Sequence, residues 1–122
     1  RVPAYCTSPG KVLLAYLDQD KLDELMRTKF PATIVADDFK TKLADVREMG
    51  YALELEEREK GVHSIAVPLK SSARETIAAL GVIGPKHRMP KEKMVMEILP
   101  VLREVSNKIT NKFGFLGKKL LI

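Results

Sequence analysis

The sequence predicts an α+β fold in which helices flank one antiparallel sheet. Apolar residues recur at helical spacing up to about residue 50, strand-like runs separated by short polar turns fill residues 51–85, and one long helical stripe follows. Strands that follow one another directly pair as antiparallel neighbours, whereas a doubly wound parallel sheet needs a helix between them. The order therefore favours a small antiparallel sheet.

Three helices are predicted in the first half of the chain. The first begins at Thr7 or Ser8, where a hydroxyl can cap the helix and Pro9 suits its first turn. The second helix is capped by an aspartate at position 18 or 20 and ends before residue 30. The third helix begins at the aspartate pair 37–38 and stops at the glycine at position 50. The predicted apolar faces comprise Leu22, Leu25 and Met26 in the second helix and Phe39, Leu43, Val46 and Met49 in the third.

Three strands are predicted between residues 51 and 83. Residues 51–56 alternate with period two, residues 62–69 follow Gly61, and residues 76–83 are almost continuously apolar before Gly84-Pro85. Continuous apolarity is typical of a strand covered on both faces, so we expect the third strand to be buried. Three strands are few to surround it, which indicates a domain that is incomplete on its N-terminal side.

A long helix is predicted from about Pro90 to Lys112. Pro100 interrupts it, and an interior proline costs about 3 kcal/mol and bends the axis. Because the apolar stripe keeps its phase across the proline, we expect one bent helix. We expect the tail over residues 113–122 to fray or to pack on a partner. The predicted stripe comprises Met94, Ile98, Val101, Leu102, Val105 and Ile109.

The composition indicates one cytoplasmic globular domain. The chain has 122 residues, is 45% hydrophobic and contains no apolar run near the roughly 20 residues that cross a bilayer, and no secretory signal. Residues 61–122 carry eleven Lys/Arg against four Asp/Glu. We interpret this excess as a solvated helix face, because the aromatic interleaving and zinc-finger patterns of nucleic-acid binders are missing.

No metal site, cofactor or catalytic set is predicted. The single cysteine, Cys6, excludes an internal disulfide and agrees with a reducing compartment, and His63 and His87 lie far from it in sequence. Catalysis needs a nucleophile, a base and an orienting group within reach of one another, and nothing pairs around these residues. We interpret Cys6 as a small buried apolar residue and expect no enzyme.

The stretch AYCTSPGKVLLA, residues 4–15, raises the question of an anion site. A phosphate-binding P-loop is excluded because Tyr5 takes the place of its first glycine, Val12 that of its hydroxyl, and Pro9 has no N–H. A helix start nevertheless exposes unpaired amides, which favour a nearby carboxylate by about 0.3 to 1 kcal/mol.

Two interpretations of this turn stay open. Thr7 and Ser8 either cap the helix only, or together with the amides of Gly10 and Lys11 they bind a carboxylate. The Lys11 side chain either adds its charge to an anion site or covers apolar surface with its stem.

Several motifs in order resemble the effector-binding domain of IclR-type transcription regulators. They are RVPAYCTSPGKVLLA at the start, VREMGYA at 46–52, Glu56-Glu57 with Gly61-Val62, SIAVP at 64–68 and Gly84-Pro85. The resemblance implies a GAF-like or profilin-like fold. The family places a winged helix-turn-helix, a linker helix and opening strands before this domain, and no part of this sequence matches them, so DNA contact would come only through a missing N-terminal winged helix-turn-helix.

The resemblance also implies a pocket for a small organic effector, often a carboxylate or an aromatic metabolite. Some members place hydroxyl residues where this chain has Gly81 and Ile83, so we expect a less polar far wall. Without the resemblance, Glu54 beside three further glutamates indicates a solvated strand edge. The implied effector-binding residues are Thr7, Ser8, Pro9, Gly10, Glu54, Ser64, Gly81 and Ile83.

The function that the resemblance implies is ligand sensing. Effector binding would shift a homodimer or tetramer between states that hold an attached DNA-binding domain differently. The alternative is a ligand-free oligomerisation module built on the same fold, because an incomplete sheet offers an edge to another chain.

Overall fold

A layer of three short helices forms the first half of the chain in a computed structural model, which describes residues 4–120 and side-chain surroundings up to residue 112. After a 3₁₀ turn at Ala4–Cys6, the helices are α1 (Ser8–Ala15), α2 (Gln19–Thr28) and α3 (Ala36–Met49). Asp18 caps α2, and Gly50 ends α3 in the left-handed conformation with φ 78°. The predicted helices are confirmed.

The sheet is antiparallel with the strand order β1-β2-β3, which confirms the α+β prediction. Its strands are β1 (Ala52–Leu55), β2 (Val62–Lys70) and β3 (Thr76–Pro85). Both pairings join strands that are neighbours in the sequence, as short polar connections require.

β3 is not buried on both faces as its apolar run predicts. None of its residues is fully buried, and Ile77 and Ile83 are 55% and 60% exposed. β3 is an outer strand of the described sheet, so its outer backbone edge has no strand beside it within residues 4–120. The apolar side chains of β3 allow it to be covered on both faces. Whether they are buried depends on which other elements lie beside the strand.

The last helix is continuous but changes its winding before Pro100. α4 (Lys91–Lys93), a π-helical turn (Met94–Ile98) and α5 (Leu99–Leu120) follow one another directly. A proline has no N–H to donate and clashes with the carbonyl four residues earlier, and a wider turn accommodates both effects. The expected tail at 113–120 is helical in its backbone, and its packing lies outside the described side chains.

The wider turn changes which residues of this helix face the sheet. Met94 and Leu102 are buried as predicted, but Leu99 and Ser106 are buried as well, whereas Val101 and Val105 are 59% and 39% exposed. The predicted stripe was therefore wrong at these two valines, because it assumed an uninterrupted period of 3.6 residues.

Two apolar cores lie on opposite faces of the sheet. One packs the helix layer against Ala52 and Ala66, and the other packs α5 against Ile65 and Val67. Alternate strand residues point to opposite faces, so each strand contributes to both cores. Within the described residues, no helix is both long enough and apolar enough to span a membrane.

Candidate functional site

Four of the predicted site residues lie on one face of the sheet, beneath the N-terminus of α1. Glu54 pairs with Ser64, which pairs with Ile83, so these residues form one row across the three strands. Gly81 lies opposite Ala66 on the same face. Directly opposed residues of an antiparallel pair share a face, so the register alone brings these positions together.

A buried chain of hydrogen bonds joins α1 to this row. The Ser8 and Ser64 hydroxyl oxygens lie 2.7 Å apart, and Ser64 Oγ donates to Glu54 Oε1 at 2.8 Å. Since each hydroxyl has one proton, Ser8 donates to Ser64 when Ser64 donates to the carboxylate. The chain ends at Glu54, which is 1% exposed. Because both serine hydroxyl protons are used in these bonds, the two hydroxyl oxygens and the carboxylate can only accept a hydrogen bond from a further partner.

Glu54 is not the solvated edge residue that its glutamate neighbours indicate. Its second carboxylate oxygen accepts from the Arg58 amide at 3.4 Å, because the chain folds back after β1. A buried carboxylate requires such donors, since desolvation without them is costly. The composition around Glu54 does not indicate its burial. Its position two residues after the buried Ala52 does, because alternate strand residues share a face of the sheet.

Thr7 is the N-cap of α1, and the cap uses the amides that an anion would need. Gly10 N donates to Thr7 Oγ1 at 3.1 Å, and Lys11 N donates to the Thr7 carbonyl at 2.9 Å. Of the two interpretations, the structure therefore supports capping. In this conformation the Gly10 and Lys11 amides are occupied by Thr7.

Lys11 lies inside the molecule and crosses from α1 to the start of the β1–β2 connection. Its Nζ donates to the Leu53 carbonyl at 3.0 Å and pairs with the Glu57 carboxylate. The Lys11 side chain is 11% exposed. Its charge is thus matched by Glu57, an interaction that no sequence pattern indicated because the two residues are distant along the chain.

Cys6 lies close to the same charged groups. Burial raises the pKa of the Cys6 thiol, and the negative charges of Glu54 and Glu57 raise it further. A thiol with a raised pKa carries less thiolate at neutral pH and reacts slowly.

Pro9, Gly81 and Ile83 give the site an apolar side. A side chain on Gly81 would come within 3.5 Å of Pro9 Cγ and 3.0 Å of the Ile65 carbonyl oxygen, so α1 lies close to the sheet here. Ile83 is 60% exposed, so the row is open on the β3 side and closed on the Glu54 side.

His63 does not belong to this row. His63 points to the other face of the sheet, where its Nδ1 lies 2.7 Å from the Met89 carbonyl oxygen. Because a carbonyl only accepts, Nδ1 carries the proton. Within residues 4–120 no group of histidine, cysteine and acidic side chains is arranged to hold a metal ion.

Comparison with known proteins assigns the chain to a family. The family model described as "Bacterial transcriptional regulator IclR C-terminal" matches residues 1–111. The chain belongs to the IclR family. The resemblance carried by the motifs is therefore confirmed.

Relatives and solved structures agree with this assignment. The chain is 37% identical to the "Pca operon regulatory protein" and 36% identical to the "p-hydroxybenzoate hydroxylase transcriptional activator", both of Acinetobacter baylyi, over 91% of its length. It spans 42% and 43% of those two relatives.

The fold is similar to two solved domains of IclR-family proteins. The inducer-binding domain of PobR from Acinetobacter, solved with 3-hydroxybenzoic acid, has a TM-score of 0.83 and 36% identity, over 90% of this chain and 66% of that one. The C-terminal domain of KdgR from Escherichia coli has a TM-score of 0.79 and 31% identity, over 93% of this chain and 73% of that one.

Proposed function

We propose that this IclR-family domain senses a small hydroxylated organic acid at the row Glu54–Ser64–Ile83. The observation that carries the proposal is the buried Ser8–Ser64–Glu54 hydrogen-bond chain, whose middle residue Ser64 pairs with the exposed Ile83. Buried polar groups of this kind fix the orientation of a ligand, and apolar walls supply its contact area.

The direction of the hydrogen bonds selects the ligand group. The hydroxyl protons of both serines are used within the hydrogen-bond chain. Ser8 Oγ and the Glu54 carboxylate can therefore accept a hydrogen bond from a ligand but cannot donate one. A hydroxyl group can donate to them, whereas a carboxylate would be repelled by Glu54. The effector's hydroxyl therefore lies on the Glu54 side, and its carboxylate faces the open side beyond Ile83.

The apolar side suits a ring or an alkyl chain. Gly81 and Ile83 have no hydroxyl, and Pro9 lies above Gly81. The relatives support this assignment, since one is named a p-hydroxybenzoate hydroxylase activator and the PobR domain was solved with 3-hydroxybenzoic acid. A hydroxylated aromatic acid is the first candidate.

Effector binding would act on the whole regulator through its assembly. Ligand that binds one arrangement of a homodimer or tetramer better than another shifts the population towards it, with couplings of about 1 to 3 kcal/mol. A DNA-binding domain attached to the sensor would respond to that shift.

The test compares hydroxy acids with their deoxy analogues by calorimetry and thermal shift. We expect 3-hydroxybenzoate or a related hydroxy acid to bind about 10- to 100-fold more tightly than benzoate, because a hydrogen bond to a charged group contributes about 1.5 to 3 kcal/mol. Glu54→Gln should reduce this preference at least about fivefold, whereas Glu59→Gln, on the exposed connection, should preserve it. Equal binding of both acids, or a preference that persists in Glu54→Gln, would contradict the proposal.

The second candidate function is a ligand-free interaction module. The exposed apolar side chains of β3 favour it, because an outer strand with such side chains can be covered by another chain. A domain that associates but binds no hydroxy acid at millimolar concentration would support this alternative.

A further inference from the structure

A groove with basic side chains lies on the α5 side of the sheet, away from the candidate effector site. It occupies about 860 Å³ between α5 and the turn that joins β2 to β3, and Gly50 also lines it. Small-molecule sites typically have volumes of about 300 to 1,000 Å³. The groove is therefore large enough for a metabolite.

The lining of the groove is basic. Arg74 and Arg103 line it from opposite walls, Lys70 also lines it, and no aspartate or glutamate among the described side chains does. The Lys70 ammonium is 5.2 Å from the centre of the Tyr16 ring, so the two arginines are the principal charges. Without a carboxylate in the walls, their charge is available to a ligand.

Arg103 is held in place before any ligand arrives. One of its terminal nitrogens donates to the Met49 carbonyl at 2.9 Å, and its guanidinium carbon is 5.8 Å from the centre of the Tyr51 ring. A guanidinium has five N–H donors in a rigid fork, so several remain after this contact. Such a fork binds two oxygens of one phosphate or carboxylate.

Neutral donors complete both walls. Asn107 and Asn111 follow Arg103 at intervals of four residues and so lie on the same face of α5, opposite Ser71 and Ser72 of the turn. Within the described side chains, neither asparagine makes a hydrogen bond. The helix itself is fixed on β2, because the Ser106 and Thr110 hydroxyls donate to strand carbonyls.

We propose that this groove is a second ligand site, which binds a small multiply charged anion such as a phosphorylated or polycarboxylic metabolite. Two arginines and several amide and hydroxyl donors converge from facing walls, which suits a compact anion with many acceptor oxygens. An extended basic strip would suit nucleic acid instead, but α5 next to the groove carries the ion pair Glu104–Lys108.

The test measures binding of pyrophosphate and citrate to the purified protein by calorimetry, at an ionic strength matched with sodium chloride. Arg74→Gly removes one arginine and also relieves its left-handed backbone, φ 64°, so this variant should fold at least as well as the parent. We expect Arg74→Gly and Arg103→Gln each to weaken anion binding at least tenfold, and Arg103→Lys to have an intermediate effect.

Lys42→Gln is the matched control, because it removes an exposed charge from α3. It should change anion affinity less than twofold, and none of the groove variants should change the hydroxybenzoate response, so this proposal can fail independently of the effector site. The proposal is wrong if chloride competes as well as citrate at equal ionic strength, or if the control weakens binding as much as the arginine variants. It is also wrong if a DNA duplex binds the groove more tightly than either anion.

Discussion

Gly10 determines how closely the start of the chain lies against α1. A β-carbon at this position would be 2.2 Å from the Ala4 carbonyl oxygen and 2.5 Å from its α-carbon. Both are backbone atoms, which cannot rotate away as a flexible side chain can. The glycine thus lets the 3₁₀ turn pack on the helix that brings Ser8 to Ser64.

Gly10→Ala should destabilise the protein by about 3 kcal/mol, the upper end of the usual cost of overpacking. The measurement is the free energy of unfolding from urea denaturation. Gly61→Ala is a matched comparison, because its added carbon meets nothing within 4 Å and only its left-handed backbone, φ 82°, is strained. That strain costs about 1 to 2 kcal/mol. If Gly61→Ala proves the more damaging change, close packing at Gly10 is not what the glycine provides.

At the level of single residues, the sequence predicted which residues lie together better than it predicted their burial and their partners. Glu54, Ser64 and Ser8 were predicted through the family motifs, and hydrogen bonds join Ser8 to Ser64 and Ser64 to Glu54. Their burial could not be read from composition, because Glu54 is surrounded in sequence by exposed charges. The ion pair between Lys11 and Glu57 could not be predicted either, because only folding brings these two distant residues together.

Among the elements, the β1–β2 connection depends on one carboxylate. Glu56 has a left-handed backbone, φ 58°, and its Oε1 accepts from Gly61 N at 2.8 Å and from Lys86 Nζ at 3.2 Å. The Gly61 amide and then Lys86 lower the pKa of the Glu56 carboxyl. The charged form therefore stabilises the fold around β2.

This lowered pKa predicts a loss of stability in acid. A carboxyl whose pKa is lower in the folded state stabilises it at pH values above the unfolded pKa, about 4.5, and this contribution disappears as the pH falls through the folded pKa. Glu56→Gln should therefore lower the free energy of unfolding at pH 7 and lower it less near pH 3, below the unfolded pKa. Urea titrations at both pH values measure the difference. An equal loss at both values would show that charge is not involved, and Glu59→Gln is the exposed control.

Element boundaries followed from local chemistry, but two burial patterns did not. Caps and stops such as Asp18 and Gly50 act within one turn, so the sequence predicts them. The phase of the last helix changed at the π turn before Pro100, which the predicted stripe did not include. The exposure of β3 depends on which strands surround it, and so on non-local packing.

The molecule as a whole exposes apolar surface on and beside its outer strand. On β3, Ile77, Val82 and Ile83 are each at least 39% exposed, and Val101 on α5 is 59% exposed. Scattered exposed apolar residues are normal, but several of them along a strand whose outer edge is unpaired among the described residues favour association. The small number of predicted strands indicated an open sheet edge, but the apolar run of β3 predicted that this strand is covered on both faces.

We expect the chain to associate in solution through this side of the sheet. Light scattering after size exclusion should give an average mass above the 13.7 kDa of the chain, rising with protein concentration. Ile77→Lys should reduce that rise, since a charge on an outer strand disfavours pairing with another strand, and Val101→Lys should do the same if α5 contributes. Val35→Lys is the control, because Val35 is 60% exposed but lies at the start of α3, in the helix layer. A constant mass of one chain at all concentrations would contradict association. If Val35→Lys reduced association as much as Ile77→Lys, the effect would come from net charge, and the outer strand would not be the interface.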